Sequence, residues 1–107
     1  MNRSALTLLK PLSLLSQKLA VTSTSAQSAA LPNNIEAIRL RATQDMWVEM
    51  EGVTANGTGT TALSMFMAAG TTEYFSPTPQ DGTGTAVKIA AIRDTADGTL
   101  HITPMSL

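Results

Sequence analysis

The stretch AIRLRAT, at residues 37–43, decides the fold because its side chains alternate between apolar and polar. Successive side chains of a β-strand point to opposite faces of the sheet, so a period of two predicts a strand with one buried face. The same alternation recurs at residues 46–51 (MWVEME), 63–67 (LSMFM) and 99–103 (TLHIT). The repeated pattern predicts a body built from half-buried strands.

The alternation also predicts which side chains face the core, because each strand places its apolar positions on one face. KIAAIR, at residues 88–93, is more continuously apolar, which predicts a central strand covered on both faces. The predicted core-facing set on the alternating strands is Ile38, Leu40, Ala42, Met46, Val48, Met50, Leu63, Met65, Met67, Leu100 and Ile102.

Turn-forming residues divide these segments. AAGT, at residues 68–71, and Asp97-Gly98 are each predicted to close a hairpin between the strands that flank them. Strands that recur about every 8–12 residues, without an amphipathic helix after residue 20, are typical of an antiparallel β-sandwich or a small jelly-roll-like barrel. The sequence therefore predicts an all-β domain over residues 19–107.

Residues 1–18 form a leucine-rich leader, predicted to be an N-terminal arm that is extended or partly helical. Pro11 would break a helix there or begin one. The apolar runs on either side of Lys10-Pro11 are shorter than the roughly 7–15 uninterrupted apolar residues of a secretory signal, which leaves export as the less favoured alternative. Neither run approaches the roughly 18 residues of a membrane-spanning helix.

Charge is scarce and unevenly spread along the chain. Charged residues make up 14% of the 107 residues, against about 25% in a typical soluble domain. Two explanations stay open: Thr-rich strands carry few charges, or neighbouring subunits cover much of the surface. Residues 1–30 carry three basic and no acidic residues, whereas residues 31–107 carry four basic and eight acidic ones. This distribution suggests an arm that reaches a partner, and its cations are too sparse to predict nucleic-acid binding.

The phrase Asn/Asp-Gly-Thr-Gly-Thr occurs at residues 56–60 and again at residues 81–85. A P-loop requires a lysine directly after its second glycine and a helix that follows. Neither phrase has that lysine, and the surrounding pattern predicts strands. Both phrases are interpreted as loops with a structural or assembly role.

The sequence shows no arrangement typical of an enzyme, so no catalytic, cofactor-binding or metal-binding residue is predicted. His101 is the single histidine and there is no cysteine, which excludes a two-histidine metal site and a thiolate site. Glu49 and Glu51 are interpreted as a solvated strand face that lies across the sheet from Arg39 and Arg41. Core packing is predicted for the four aromatic residues, Trp47, Phe66, Tyr74 and Phe75.

Three phrases of the body resemble small virion proteins of tailed bacteriophages. They are Trp47 on an alternating strand, Ala69-Gly70 with Glu73-Tyr74-Phe75 after it, and a segment at residues 92–104 that contains Ile92-Arg93-Asp94 and Asp97-Gly98-Thr99-Leu100. The resemblance covers roughly residues 19–107 and does not include the leader.

This resemblance implies a non-enzymatic capsid decoration (cement) protein with a β-sandwich or jelly-roll-like body. It further implies location in the virion, the major capsid protein or another virion subunit as partner, and assembly as a homo-oligomer. Trimers are common among such proteins, although no residue here indicates a subunit number. No cofactor, nucleic acid or membrane is expected to be bound.

The leader is then expected to anchor the protein to its partner, because a segment so rich in leucine would otherwise expose apolar surface. Two alternatives remain: a head–tail connector or tail-associated virion subunit, and an exported module that binds a surface or a carbohydrate. The predicted anchor residues are Leu6, Leu8, Leu9, Leu12 and Leu15.

Overall fold

The computed structural model describes residues 9–31, 35–50, 64–76 and 88–106. These residues form nine strands and a single 3-10 turn at Ser13–Leu15. The strands are β1 (Lys10–Pro11), β2 (Gln17–Val21), β3 (Ala26–Gln27), β4 (Ala37–Ala42), β5 (Met46–Glu49), β6 (Met65–Met67), β7 (Thr72–Phe75), β8 (Ala90–Arg93) and β9 (Gly98–Ser106). The predicted all-β fold is confirmed.

The described strands make two antiparallel sheets that pack face to face as a sandwich. The five-stranded sheet has the order β1-β9-β4-β7, and β2 also pairs with β9. The four-stranded sheet has the order β3-β8-β5-β6. The nine-residue β9 is long enough to pair with β1 near its end and with β2 near its start, on the side away from β4.

The core lies between the two sheets and follows the predicted alternation, but the prediction is wrong for Met65, which is 36% exposed. Met50 is half-buried, and Leu63 lies outside the described residues. Leu40 and Leu100 from the five-stranded sheet and Met46 from the four-stranded sheet are all fully buried. Burial of one such side chain contributes about 1.5–3 kcal/mol, which makes this layer the main source of stability. The core cluster contains Val21, Leu31, Ile35, Ile38, Leu40, Ala42, Met46, Val48, Met67, Ile89, Ala91, Leu100 and Ile102.

Strand β8 lies between β3 and β5 in the middle of its sheet. Ala90 and Ala91 point to opposite faces of the strand, and both are fully buried. The prediction of a covered central strand is therefore confirmed at these two positions. Ile92 and Arg93 are half-buried.

The two predicted hairpins are wrong, because in each case the flanking strands lie in different sheets. Strands β6 and β7 are joined by residues 68–71, but they belong to the four-stranded and the five-stranded sheet respectively. Strands β8 and β9 are separated in the same way on either side of Asp97-Gly98. Both segments turn the chain from one sheet to the other.

The two glycines in these connections serve different purposes. Gly70 has φ 80° and is the third residue of a tight turn in which the Thr71 N–H donates to the Ala68 carbonyl at 3.2 Å. Positive φ at the third position of such a turn favours glycine. Gly98 instead allows close approach, since a Cβ there would lie 2.8 Å from Gln44 Cβ.

The described part of the leader belongs to the edge of the five-stranded sheet. Lys10 and Pro11 pair with Ser106 and Met105 of β9. Proline has no N–H to donate, so within a sheet it is tolerated at an edge, where one side of the strand has no neighbour. The predicted boundary after residue 18 falls inside β2, so the chain enters the sandwich before that point.

Gln17, the first residue of β2, also ties the leader to the second sheet. Its amide oxygen accepts the Ala29 N–H at 2.9 Å, and its amide nitrogen donates to the Ala29 carbonyl at 3.2 Å. Ala29 follows β3 of the four-stranded sheet. This pair of hydrogen bonds closes one side of the sandwich.

Candidate functional site

A group of cations lies on the outer face of the five-stranded sheet. Lys18 is paired with His101, and His101 is paired on its other side with Arg41, so the three residues form one row across β2, β9 and β4. Arg39 lies on the same face two residues from Arg41, opposite Tyr74 of β7. We call Lys18, Arg39, Arg41, His101 and Tyr74 the basic face.

The spacing of the basic face follows from the strand geometry. Neighbouring strands are about 4.8 Å apart, so Lys18 and Arg41 are separated by about 10 Å across His101. The Arg41 guanidinium lies 3.4 Å from both the Gly70 carbonyl and the Thr72 hydroxyl. Lys18 and Arg41 are exposed, whereas His101 is half-buried. The face presents positive charge and hydrogen-bond donors to solvent.

The outer face of the four-stranded sheet carries an apolar patch made of Trp47, Phe66 and Ile92, which are neighbours in the strand register. The Trp47 and Phe66 rings lie 5.1 Å apart in an edge-to-face arrangement at 63°. The Trp47 indole N–H donates to Asp94 Oδ1 at 3.2 Å. The patch therefore combines ring surface with a carboxylate at its border.

The prediction that all four aromatic residues pack in the core is wrong. Phe75 packs against the core cluster. Phe66 and Tyr74 are 44% and 47% exposed, and Trp47 is half-buried on an outer face. The physical reason is the period of two: Met46 and Val48 occupy the inward positions of β5, which forces Trp47 outward.

The interpretation that Glu49 lies across the sheet from Arg39 and Arg41 is also wrong, because β5 and β4 are in different sheets. Glu49 Oε1 instead accepts the Ser64 hydroxyl at 3.0 Å. Glu51 lies outside the described residues.

The predicted leader anchors have different environments. Leu6 and Leu8 lie outside the described residues. Leu9 and Leu12 are half-buried, and Leu12 packs against the core cluster. Leu15 is 47% exposed, and Leu14, which was not predicted as an anchor, is 98% exposed. The 3-10 turn thus presents Leu14 and Leu15 outward while Leu12 fastens it to the body.

Two further sets of residues bear on whether the chain has a catalytic or a metal-binding site. His101 has Lys18 and Arg41 as cross-strand neighbours, while Asp94 and Asp97 bond to Trp47 and Arg93 respectively. Among the residues that the structure describes, no group of three or more His, Cys, Asp and Glu side chains is placed to hold a metal ion. Both Gly-Thr phrases, at residues 56–60 and 81–85, lie outside those residues.

Over the described ranges, no helix has the length and apolar character needed to cross a membrane. Comparison of the chain with protein-family models, with curated proteins and with solved structures gave no match.

The sequence predicts strands β4 to β9, but it does not locate β1, β2, β3 or the basic face. Arg39 and Arg41 were recognised as the polar side of one strand. Their association with Lys18 and His101 depends on the pairing of β9 with both β2 and β4. Leu14 was missed because the sequence does not reveal which leucines a 3-10 turn directs outward.

Proposed function

We propose that this chain is a non-enzymatic structural subunit of a tailed-phage virion, and that it acts as a capsid decoration protein. The proposal rests on the resemblance of the body to such proteins and on one structural observation, which is the fixed display of Leu14 and Leu15. Large exposed apolar groups of this kind mark surfaces that bind another protein. The partner is the major capsid protein or another virion subunit.

The 3-10 turn is well suited to such a contact because it is held on both sides. The Leu12 N–H donates to the Pro104 carbonyl at 2.8 Å, and the Ser16 N–H donates to the Ser13 carbonyl at 3.2 Å. β1 and β2 pair with β9 before and after the turn. A pre-positioned loop loses less conformational entropy on binding than a free arm does.

Point substitutions test this contact better than removal of the leader. Deletion of residues 1–17 would remove β1 and Gln17, and it would leave much of the β9 edge unpaired. Leu14→Ser with Leu15→Ser changes exposed side chains only, so the body is expected to fold normally. Ser13→Ala, an exposed position on the same turn, is the matched control.

The assay is co-sedimentation of each variant with purified particles that lack the protein. We expect the double leucine variant to bind about 10- to 100-fold more weakly, because binding of the wild type would bury one or two leucine side chains that are exposed in the free protein. The Ser13→Ala variant is expected to bind like the wild type. Full binding by the double variant would show that the turn is not the contact.

A second candidate function is an exported module that binds a carbohydrate, and the apolar patch favours it. Ring faces with a neighbouring carboxylate suit the apolar and hydroxyl surfaces of a sugar. Binding of the protein to a glycan array that Trp47→Ala abolishes would support this function. A cleaved leader in the mature protein would support it further.

A head–tail connector or tail-associated subunit would share the fold and the surfaces described above. It is separated from a decoration protein by copy number in the particle. A decoration protein covers the lattice, whereas a connector is confined to one vertex.

A further inference from the structure

The outer face of the five-stranded sheet carries charged side chains of one sign. Lys18, Arg39 and Arg41 all project from the basic face, and none of the strand residues described on that face is acidic. Glu73 of β7 pairs with the inward-facing Leu40, so it lies on the opposite side of the sheet. The basic face is therefore a surface of one sign.

These cations have no carboxylate partner within the described part of the chain. The salt bridge found there joins Arg93 to Asp97 at 2.6 Å, away from the basic face. Cations grouped on one face repel one another and are stabilised when an oppositely charged surface covers them. The basic face thus has the electrostatic character of an unpaired binding surface.

A complementary surface exists on the same molecule. Asp45, Asp94 and Asp97 lie on the turns that join the sheets, and we call them the acidic end. Asp45 Oδ1 accepts the Ala69 N–H at 2.8 Å, and the Asp94 N–H donates to the Asp45 carbonyl at 3.1 Å. These bonds hold the turns together on a fixed framework. Arg93 neutralises one of the three carboxylates through its salt bridge with Asp97, so the acidic end keeps two negative charges in excess.

We propose that the basic face of one copy binds the acidic end of a second copy. The two surfaces are different, so the contact is head-to-tail, and it produces a ring if the rotation closes and a chain if it does not. This inference concerns the isolated protein and does not rest on the virion assignment.

The contact is expected to be weak between two free copies. The basic face spans four strands, or about 14 Å. Its area is therefore much smaller than the roughly 800 Å² per partner that a stable interface buries. Its strength comes mainly from charge, so salt should weaken it. Where many copies are held side by side, such contacts add to the avidity of the whole layer.

A nucleic acid is the less suitable occupant of the basic face. The chain has a net charge of −1 at pH 7, so its overall field does not attract a polyanion. Tyr74 is the one aromatic residue on the face, whereas single-stranded nucleic acids are bound by several stacking rings interleaved with cations.

The test is sedimentation velocity of the full chain at several protein concentrations, in about 20 mM and about 500 mM NaCl, which shortens the Debye length from about 20 Å to about 4 Å. We expect concentration-dependent association at low salt and monomers at high salt. Lys18→Glu and Asp97→Lys should each weaken association about two- to fivefold, as expected for the loss of an exposed charge pair. Lys88→Glu, an exposed cation outside the basic face, is the control.

Mixing the two charge-reversal variants gives the sharpest result. The reversed face of the Lys18→Glu protein should bind the reversed end of the Asp97→Lys protein, so the mixture should associate better than either variant alone. Circular dichroism confirms that each variant is folded. A monomer at every salt concentration, association unaffected by Lys18→Glu, or a mixture without recovery would each overturn the proposal. Binding of single-stranded DNA that Lys18→Glu abolishes, without self-association, would replace the second copy with a nucleic acid.

Discussion

Ser28→Ala should destabilise the fold by more than its small change in volume suggests. Ser28 is 6% exposed and follows β3, and its hydroxyl oxygen accepts the N–H of Ile89, which is fully buried. This bond is 3.0 Å long, and the same hydroxyl donates to the Ala29 carbonyl at 2.9 Å. Alanine removes both bonds and leaves the Ile89 N–H without its acceptor.

The magnitude follows from the burial of that N–H. An unsatisfied buried donor costs about 1–3 kcal/mol, and we expect a loss of about 2 kcal/mol in the free energy of unfolding. This corresponds to a decrease of about 30-fold in the folding equilibrium constant. The backbone bond from the Ser28 N–H to the Ile89 carbonyl, at 2.7 Å, remains in the variant.

Urea unfolding followed by tryptophan fluorescence measures this effect, with the single tryptophan, Trp47, as the probe. The midpoint should shift to lower urea while the slope stays constant, because the folded state remains equally compact. Ser23→Ala, an exposed serine in the β2–β3 connection, is the matched control and should change stability by less than about 0.5 kcal/mol. Equal midpoints for the two variants would refute the reasoning.

Three other substitutions test the packing and the turns by the same unfolding measurement. Leu40→Ala, at a fully buried position, should lower the free energy of unfolding by about 2–5 kcal/mol, whereas Leu15→Ala, at an exposed position, should hardly change it. Similar losses for both variants would contradict the assigned core. Gly98→Ala should destabilise by about 1–3 kcal/mol because the new Cβ would lie 2.8 Å from Gln44 Cβ, and a neutral result would mean that the two turns are further apart. Gly70→Ala should cost about 1–2 kcal/mol because φ there is 80°; no loss would show that the turn has another conformation.

Strands β4 to β9 could be predicted from the sequence because their signal is local. Ile38, Leu40 and Ala42 alternate with Arg39 and Arg41, and the pleat alone requires the two sets to face opposite sides. The same rule correctly placed Leu100 and Ile102 in the core. For β5 the rule places Trp47 outward, and the hydrophobic character of the side chain does not override that position.

The pairing of strands could not be predicted because it depends on contacts distant in sequence. Asp97-Gly98 is compatible with a hairpin and equally with a connection between sheets. Only the approach of Gly98 to Thr43 and Gln44 distinguishes the second arrangement. The candidate surfaces have the same origin, since the basic face is formed when β9 brings β2 and β4 together.

A single side chain of the edge strand β7 determines whether another chain can pair with it. Strand β7 is the outermost described strand on one side of its sheet, and such an edge is able to pair with a strand of another chain. Glu73 is exposed there on the core-facing side, and an inward-pointing charge discourages such addition. This is why contacts through the basic face and the 3-10 turn are favoured over strand addition at β7.

The central claim, that this chain is a virion decoration protein, is tested most directly by quantitative mass spectrometry of purified particles produced by the genome that encodes it. The account predicts the protein at a fixed, lattice-wide ratio to the major capsid protein, with the leader intact. A few copies per particle would indicate a connector or tail subunit instead. Absence from the particles, together with a shortened N-terminus in an exported fraction, would contradict the virion assignment.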